Sequence, residues 1–131
     1  MRPKAGFFGG QKDLEKRLRL TKNFEFNLVY KKGRRRVCPL FSMYAKKNRI
    51  GYSRFGISVS KKIGKSVVRN RVKRRLREIL RRNYNKIKPG YDIVISAKSE
   101  ITKYNYWEIE SQVVDNLKKM ELWVEQNEKI E

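Results

Sequence analysis

The sequence predicts an α+β domain with the element order helix, strand, strand, helix, strand, helix. Short segments in which apolar residues alternate with small or polar ones predict the strands, and longer segments with apolar residues three or four apart predict the helices. With 131 residues, of which 39% are hydrophobic, the chain is large enough for one compact core. We expect a single domain over residues 14–126, a flexible basic N-terminal tail at 1–13 and a C-terminal tail at 127–131.

The first predicted helix covers residues 21–32, and Gly33 is expected to end it in the left-handed conformation. Its apolar side chains fall on two well separated sides, Phe24 with Leu28 and Phe26 with Tyr30. We expect one pair to face the sheet, and the other pair to need a different partner.

Three strands are predicted, at residues 37–46, 54–60 and 91–98. The first is apolar on both faces and contains Pro39, which favours a sheet edge or a bulge because proline has no N–H to donate. The connection between the first two strands resembles a hairpin turn. These two strands are therefore expected to be antiparallel neighbours.

Two further helices are predicted, a basic one over about residues 65–83 and a final one that begins near Asn105. The apolar residues of the basic helix fall within about 120° of the helical wheel, the width of a stripe that packs on a sheet. Asn105 and Glu108 have the spacing of a capping box at the start of the final helix. Both helices are expected to be anchored to the core.

The chain has a net charge of +21, from 34 Lys and Arg, 13 Asp and Glu, and no His. Such a charge favours a polyanionic partner, nucleic acid first and an anionic membrane surface second. The single cysteine, Cys38, permits no internal disulfide, and the sequence has neither a signal-peptide pattern nor a run of about 18 apolar residues. We expect a cytoplasmic protein that does not insert into membranes.

The basic helix, SVVRNRVKRRLREILRR at residues 66–82, contains seven Arg and one Lys but only one acidic residue. Arg69, Lys73 and Arg77 follow one another at intervals of four, so like charges are neighbours on one side of the helix. A solvated face selected for stability alone would alternate the signs. The planar fork of arginine pairs with phosphate oxygens, which favours nucleic acid over a membrane surface. Composition leaves open whether that nucleic acid is RNA or DNA.

Three aromatic residues, Phe26, Tyr30 and Tyr44, are candidates for stacking on unpaired bases. From the residues alone, ordinary core packing is the favoured interpretation of these side chains. No catalytic residue and no metal site are expected in the protein, because there is no His and the six acidic residues before residue 108 are scattered.

The string SVSKKIGKSVVRNRVKRRLRE, at residues 58–78, resembles the signature of the protein subunit of bacterial ribonuclease P. In that family a strand leads through Lys-Lys and Gly into a helix with Arg-Asn-Arg, Lys-Arg and Arg-Glu in this register. The resemblance covers about residues 14–124, including Phe26, Tyr30 and Gly33 of the first helix. It implies a compact α/β sandwich, similar to a domain of ribosomal proteins and elongation factors, with a left-handed strand–helix–strand crossover.

The resemblance also implies roles for the basic helix and for the aromatic residues. In that family the helix contacts a catalytic RNA, and a cleft between the first helix and the sheet holds the single-stranded 5′ leader of precursor tRNA. The cleft is implied to contain Phe26, Tyr30 and Tyr44, which reverses the preference for core packing. The residues implied in catalytic-RNA binding are Lys61, Lys62, Lys65, Arg69, Asn70, Arg71, Lys73, Arg74 and Arg77.

The implied partners are a catalytic RNA, with one protein per RNA, and the precursor tRNA leader. The RNA is expected to perform the cleavage, with Mg²⁺ bound mainly by RNA phosphates and none held by the protein alone. Two alternatives remain. A structural RNA-binding protein, such as a ribosomal component, would lack the leader cleft, and a DNA-binding regulator would prefer duplex DNA.

Overall fold

The computed structural model describes residues 13–125, which contain three α-helices and one four-stranded sheet. The elements are α1 (Asn23–Lys32), β1 (Arg34–Val37), β2 (Phe41–Lys47), β3 (Arg54–Ser58), α2 (Ser66–Arg82), β4 (Tyr91–Ala97) and α3 (Tyr106–Lys119). The α+β class is confirmed. Nearly all of the two predicted tails lies outside the described residues.

The strands lie in the order β1-β2-β4-β3 across the sheet. β1 pairs antiparallel with β2, and β2 pairs antiparallel with β4. β3 and β4 are parallel neighbours joined through α2, as in a strand–helix–strand crossover. The predicted order of elements is therefore found, with β1 as an additional strand, while the left-handed sense of the crossover stays a prediction.

The prediction of one strand over residues 37–46 is wrong, because Pro39 divides that segment. Residues 38–40 form the turn of a hairpin, in which Cys38 N donates to Phe41 O at 2.9 Å. Proline has no N–H to donate to a strand pair, so a turn accommodates it more easily than a strand interior. Arg34–Val37 then forms β1, an edge strand whose four residues are all exposed.

The prediction that β2 and β3 are neighbours is also wrong, because β4 lies between them. Ile93, Val94 and Ile95 of β4 are all fully buried, although successive side chains of a strand point to opposite faces. A strand that is apolar on both faces is most stable in the interior of a sheet, covered from both sides. The position of β4 follows from this burial and not from the short connection between β2 and β3.

The larger core lies between the sheet and helices α2 and α3. From α2 it contains Val72, Leu76, Ile79 and Leu80, which belong to the predicted apolar stripe. Helix α3 begins at the predicted capping box, where Asn105 and Glu108 exchange two hydrogen bonds of 2.9 Å. Burying an aliphatic side chain contributes about 1.5–3 kcal/mol, so this stripe firmly orients α2. Within the described part of the chain, no helix has the length and hydropathy to span a bilayer.

A smaller core lies on the opposite face of the sheet, beneath α1. Its buried residues are Leu20, Val29 and Val94, and Phe26, Tyr30 and Tyr44 pack against them. Of the two apolar pairs on α1, the pair of Phe26 and Tyr30 therefore faces the sheet. The other pair is exposed, with 65% of Phe24 and 42% of Leu28 accessible to solvent.

Gly33 ends α1 as predicted, but the predicted left-handed conformation is wrong. Its backbone is extended, with φ −87° and ψ 166°. A Cβ at this position would lie 2.6 Å from the carbonyl oxygen of Val29 and 2.8 Å from that of Ala45. Glycine is therefore needed because α1 and β2 approach each other closely, and it lets the chain pass from α1 directly into β1.

Candidate nucleic-acid interface

The outward sides of α2 and the loop before it carry the nine residues predicted to bind a catalytic RNA, which we call the α2 basic face. Its exposed members are Lys61, Lys62, Lys65, Asn70, Arg71 and Arg74, and its half-buried members are Arg69, Lys73 and Arg77. Val72 and Leu76, on the opposite side of the helix, are buried in the larger core. Packing of the apolar stripe therefore holds the α2 basic face toward solvent.

Most charges of the α2 basic face lack an acidic partner within residues 13–125. No ion pair there includes Arg69, Arg71, Lys73 or Arg74. Arg69 donates from Nε to the carbonyl oxygen of Gly64 at 3.0 Å, which holds its stem against the loop before α2. Arg77 differs, because its Nε lies 2.9 Å from Asp13 Oδ1. The uncompensated charge is therefore concentrated in the first half of α2.

The C-terminal end of α2 is neutralised by carboxylates of the same chain. Arg81 Nη2 lies 2.8 Å from Glu78 Oε2, and Arg82 Nη1 lies 2.7 Å from Glu110 Oε2. The hydrogen bond to Glu78 is the main cause of the raised pKa of Arg81. The pKa of Arg82 is raised by its hydrogen bond to Tyr106, which has the larger effect, and by its hydrogen bond to Glu110. Arg82 therefore ties α2 to α3 and contributes to the fold more than to a free basic surface.

A groove of about 520 Å³ lies between α1, β3 and α2, and we call it the aromatic groove. It is lined by Asn23, Phe26, Asn27, Tyr30, Ile57, Ser58, Val59 and Lys73. Two of the three predicted cleft residues, Phe26 and Tyr30, are in this lining. Lys73 belongs to both the aromatic groove and the α2 basic face, so the two predicted sites adjoin.

The three aromatic side chains are packed and partly accessible at the same time. The ring centroids of Phe26 and Tyr30 are 6.5 Å apart, and those of Tyr30 and Tyr44 are 4.8 Å apart in an edge-on arrangement. The hydroxyl of Tyr30 lies 3.1 Å from Ser96 Oγ on β4. Tyr44 supports Tyr30 from β2 and is not in the lining of the groove. Core packing and an accessible ring surface, the two interpretations of the sequence, are therefore compatible.

Several residues of the aromatic groove were missed by the sequence reasoning. Asn23 precedes Phe26 by three residues, and Asn27 precedes Tyr30 by three. At helical spacing, both asparagines therefore lie on the same side of α1 as the two aromatic rings. Their amides offer donors and acceptors that suit bases or sugars. Ser58, contributed by β3, carries no comparable signal in the sequence.

An ion-pair network fixes the N-terminal end of α1 to the sheet. Arg54 on β3 donates from Nε and Nη2 to both carboxylate oxygens of Asp92, at 3.0 and 2.9 Å, and its Nη1 lies 3.3 Å from Glu25 Oε2 on α1. The hydrogen bond to Asp92 is the main cause of the raised pKa of Arg54. Glu25 Oε1 also accepts from the backbone N–H groups of Thr21 and Lys22, both at 3.1 Å. One wall of the aromatic groove is therefore held by polar contacts as well as by packing.

The described residues contain no group of three or more His, Cys, Asp or Glu side chains placed to hold a metal ion. The buried carboxylate of Asp92 is already bonded to Arg54 and Asn48.

The model of the ribonuclease P family matches residues 14–121, which include the α2 basic face and the aromatic groove. The chain belongs to the ribonuclease P protein family. The ribonuclease P protein component of Clostridium beijerinckii is 46% identical over 112 residues, which cover 80% of this chain and 90% of the relative. The corresponding protein of Alkaliphilus oremlandii is 46% identical over 104 residues, covering 79% and 91%.

Solved structures of ribonuclease P proteins have the same fold. The protein of Staphylococcus aureus superposes with a TM-score of 0.76 at 33% identity, covering 81% of this chain and 97% of that one. The protein of Thermotoga maritima superposes with a TM-score of 0.72 at 34% identity, covering 77% and 96%.

Proposed function

We propose that the chain is the protein subunit of ribonuclease P and assists removal of the 5′ leader from precursor tRNA. One observation carries the proposal: Lys73 joins the α2 basic face, most of whose charges have no acidic partner within residues 13–125, to a groove lined by aromatic rings. A general RNA-binding surface needs the first of these features only. A subunit that holds a structured RNA and a single-stranded leader together needs both, side by side.

The α2 basic face supports binding to the catalytic RNA. Arg69, Arg71 and Arg74 form no ion pair in the described part of the chain. They repel one another on a helix that the core holds in place, and RNA phosphates would relieve that repulsion. An A-form major groove is too narrow to admit a helix, so α2 would lie on RNA backbones and irregular junctions. Asn70 adds an amide that can donate to a phosphate or a base.

The aromatic groove supports binding to the leader. Phe26 and Tyr30 present partly accessible rings, and base–aromatic stacking contributes about 1–3 kcal/mol per base with little dependence on sequence. A leader of varying sequence suits such a groove. Lys73 would neutralise a leader phosphate where the groove meets the α2 basic face.

The cleavage itself would be performed by the RNA, with Mg²⁺ bound mainly by RNA phosphates. The protein contributes positive charge that reduces the repulsion between the catalytic RNA and its substrate, and it positions the leader. We propose one protein per catalytic RNA, since one α2 basic face adjoins one aromatic groove.

The proposal is tested with Phe26→Ala and its matched control Phe24→Ala. Both changes remove a phenyl ring from α1, but Phe24 lies outside the groove lining and is 65% exposed. Each protein is assembled with a catalytic RNA, and its affinities for leader-bearing precursor and for mature tRNA are compared. Phe26→Ala is expected to weaken precursor binding about tenfold and to leave mature tRNA binding unchanged.

A second variant, Phe26→Leu, keeps apolar volume in the smaller core but removes the aromatic face. It separates loss of stacking from loss of folding and is expected to show most of the same defect. Equal precursor affinity for the wild-type, Phe26→Leu and Phe24→Ala proteins would contradict the leader role and favour a structural RNA-binding protein.

A further inference from the structure

The sheet face that holds the aromatic groove continues beyond it, as far as the edge strand β1. Two rows of side chains cross this face, because residues paired in register point to the same side of a sheet. From β3 to β1, one row is Ser58, Ser96, Ser42 and Val37, and the other is Gly56, Val94, Tyr44 and Arg35. With strands about 4.8 Å apart, each row is about 14 Å long.

The three serines form a polar strip from the groove toward the opposite edge of the sheet. All three are half-buried, Ser58 lines the aromatic groove, and Ser96 Oγ lies 3.1 Å from the hydroxyl of Tyr30. A hydroxyl both donates and accepts hydrogen bonds, so such a strip can contact phosphates and sugars without selecting a base.

Arg35 brings a positive charge to the far end of this face. It is exposed, it is paired in register with Tyr44, and no ion pair within residues 13–125 includes it. The neighbouring arginines of β1 alternate to the opposite face, where Arg34 donates to the carbonyl oxygen of Met120 at 3.1 Å. Arg36 shares that opposite face and is also exposed.

We propose that single-stranded RNA continues from the aromatic groove across the serine strip to Arg35, which binds a phosphate at the distal end. The inference rests on the proposed leader function and extends the contact to the edge of the sheet. Lys73, which belongs to the α2 basic face, lies at one end of this RNA path, and Arg35 lies at the other end. Between these two cations are aromatic rings for bases and hydroxyls for the backbone.

The experiment compares Arg35→Ala with Arg36→Ala. The two changes remove the same charge from adjacent exposed positions of one strand but from opposite faces, so they have the same effect on net charge. Each protein is assembled with a catalytic RNA and titrated with precursor tRNAs whose leaders lengthen by one nucleotide at a time. Phe26→Ala is measured in parallel.

Arg35→Ala is expected to weaken precursor tRNA binding about three- to tenfold. The loss should begin at a longer leader than the shortest leader for which Phe26→Ala weakens binding. For those leaders the slope of log K against log salt should decrease in magnitude by about 0.7, the value for one contact to a single-stranded phosphate. Arg36→Ala should match wild type at every length.

Two outcomes would overturn the inference. Equal losses for Arg35→Ala and Arg36→Ala would indicate a general charge effect, and no loss for Arg35→Ala at any length would show that the leader does not reach β1. In either case a persisting Phe26→Ala defect keeps the proposed function intact. If Phe26→Ala also has no effect, the leader function fails, and the extension fails with it.

Discussion

The ring of Phe26 rests on the backbone of Gly56 in the middle of β3. A Cβ at Gly56 would come within 2.6 Å of Phe26 Cζ and 2.7 Å of its Cε2 atom. The absence of a side chain on β3 therefore sets the depth at which the ring sits in the aromatic groove. This contact gives a direct way to move the ring without removing it.

Gly56→Ala is expected to displace the Phe26 ring, lower the free energy of unfolding by about 1–3 kcal/mol and weaken precursor binding. Binding of the catalytic RNA should not change, because α2 packs on the other face of the sheet and its basic face points to solvent. Chemical denaturation and RNA titration measure the two effects. In a Phe26→Leu background the same change should destabilise less, since a smaller side chain can withdraw. An equal cost in both backgrounds would show that the ring does not rest on Gly56 in this way.

Arg54→Ala is expected to destabilise the protein by about 1–3 kcal/mol, because it leaves the buried carboxylate of Asp92 without its charged partner. Leader binding should weaken as well, since the N-terminal end of α1 loses its contact through Glu25. Arg17→Ala is the matched control, because its pair with Glu15 is exposed and should contribute less than about 1 kcal/mol. Similar denaturation midpoints for the two variants would contradict a role of Arg54 in anchoring α1.

Arg74→Ala is expected to weaken binding to the catalytic RNA and to reduce the slope of log K against log salt by about 1 in magnitude. Lys119→Ala removes the same charge from α3, where the lysine is paired with Asp115, and should leave the slope unchanged. Filter binding over a range of salt concentrations measures both slopes. Identical slopes for the two variants would show that net charge, and not the α2 basic face, governs the interaction.

Helices α2 and α3 were predictable because their signals are local. An apolar stripe at helical spacing and a capping box depend on residues three or four apart, and the structure retains both. The order of the strands was not predictable in the same way, because pairing joins residues far apart in sequence. Burial of β4 on both faces was the available signal for its central position, and the short connection between β2 and β3 misled the reasoning.

β1 was missed because its sequence, Arg34–Val37, has three charged residues and no alternation of apolar side chains. An edge strand exposed on all four residues needs no such alternation, so its pairing with β2 depends on the backbone and on the turn at Pro39. The residues of the α2 basic face and the aromatic rings were proposed from the charge pattern and the family resemblance, and their roles in binding stay predictions. The placement of Ser58 and Arg35 on the same face of the sheet emerges only when the strands are in register.

The central claim is that the RNA cleaves the precursor tRNA and the protein positions its leader. Reconstitution at low Mg²⁺ tests this claim most directly. Precursor tRNA is incubated with a candidate catalytic RNA alone, with the protein alone, and with both, and the released 5′ leader is quantified. We predict efficient cleavage only with both components, weak cleavage with RNA alone that rises at high Mg²⁺, and none with protein alone. Cleavage by the purified protein alone, or no gain when it is added to the RNA, would contradict the account.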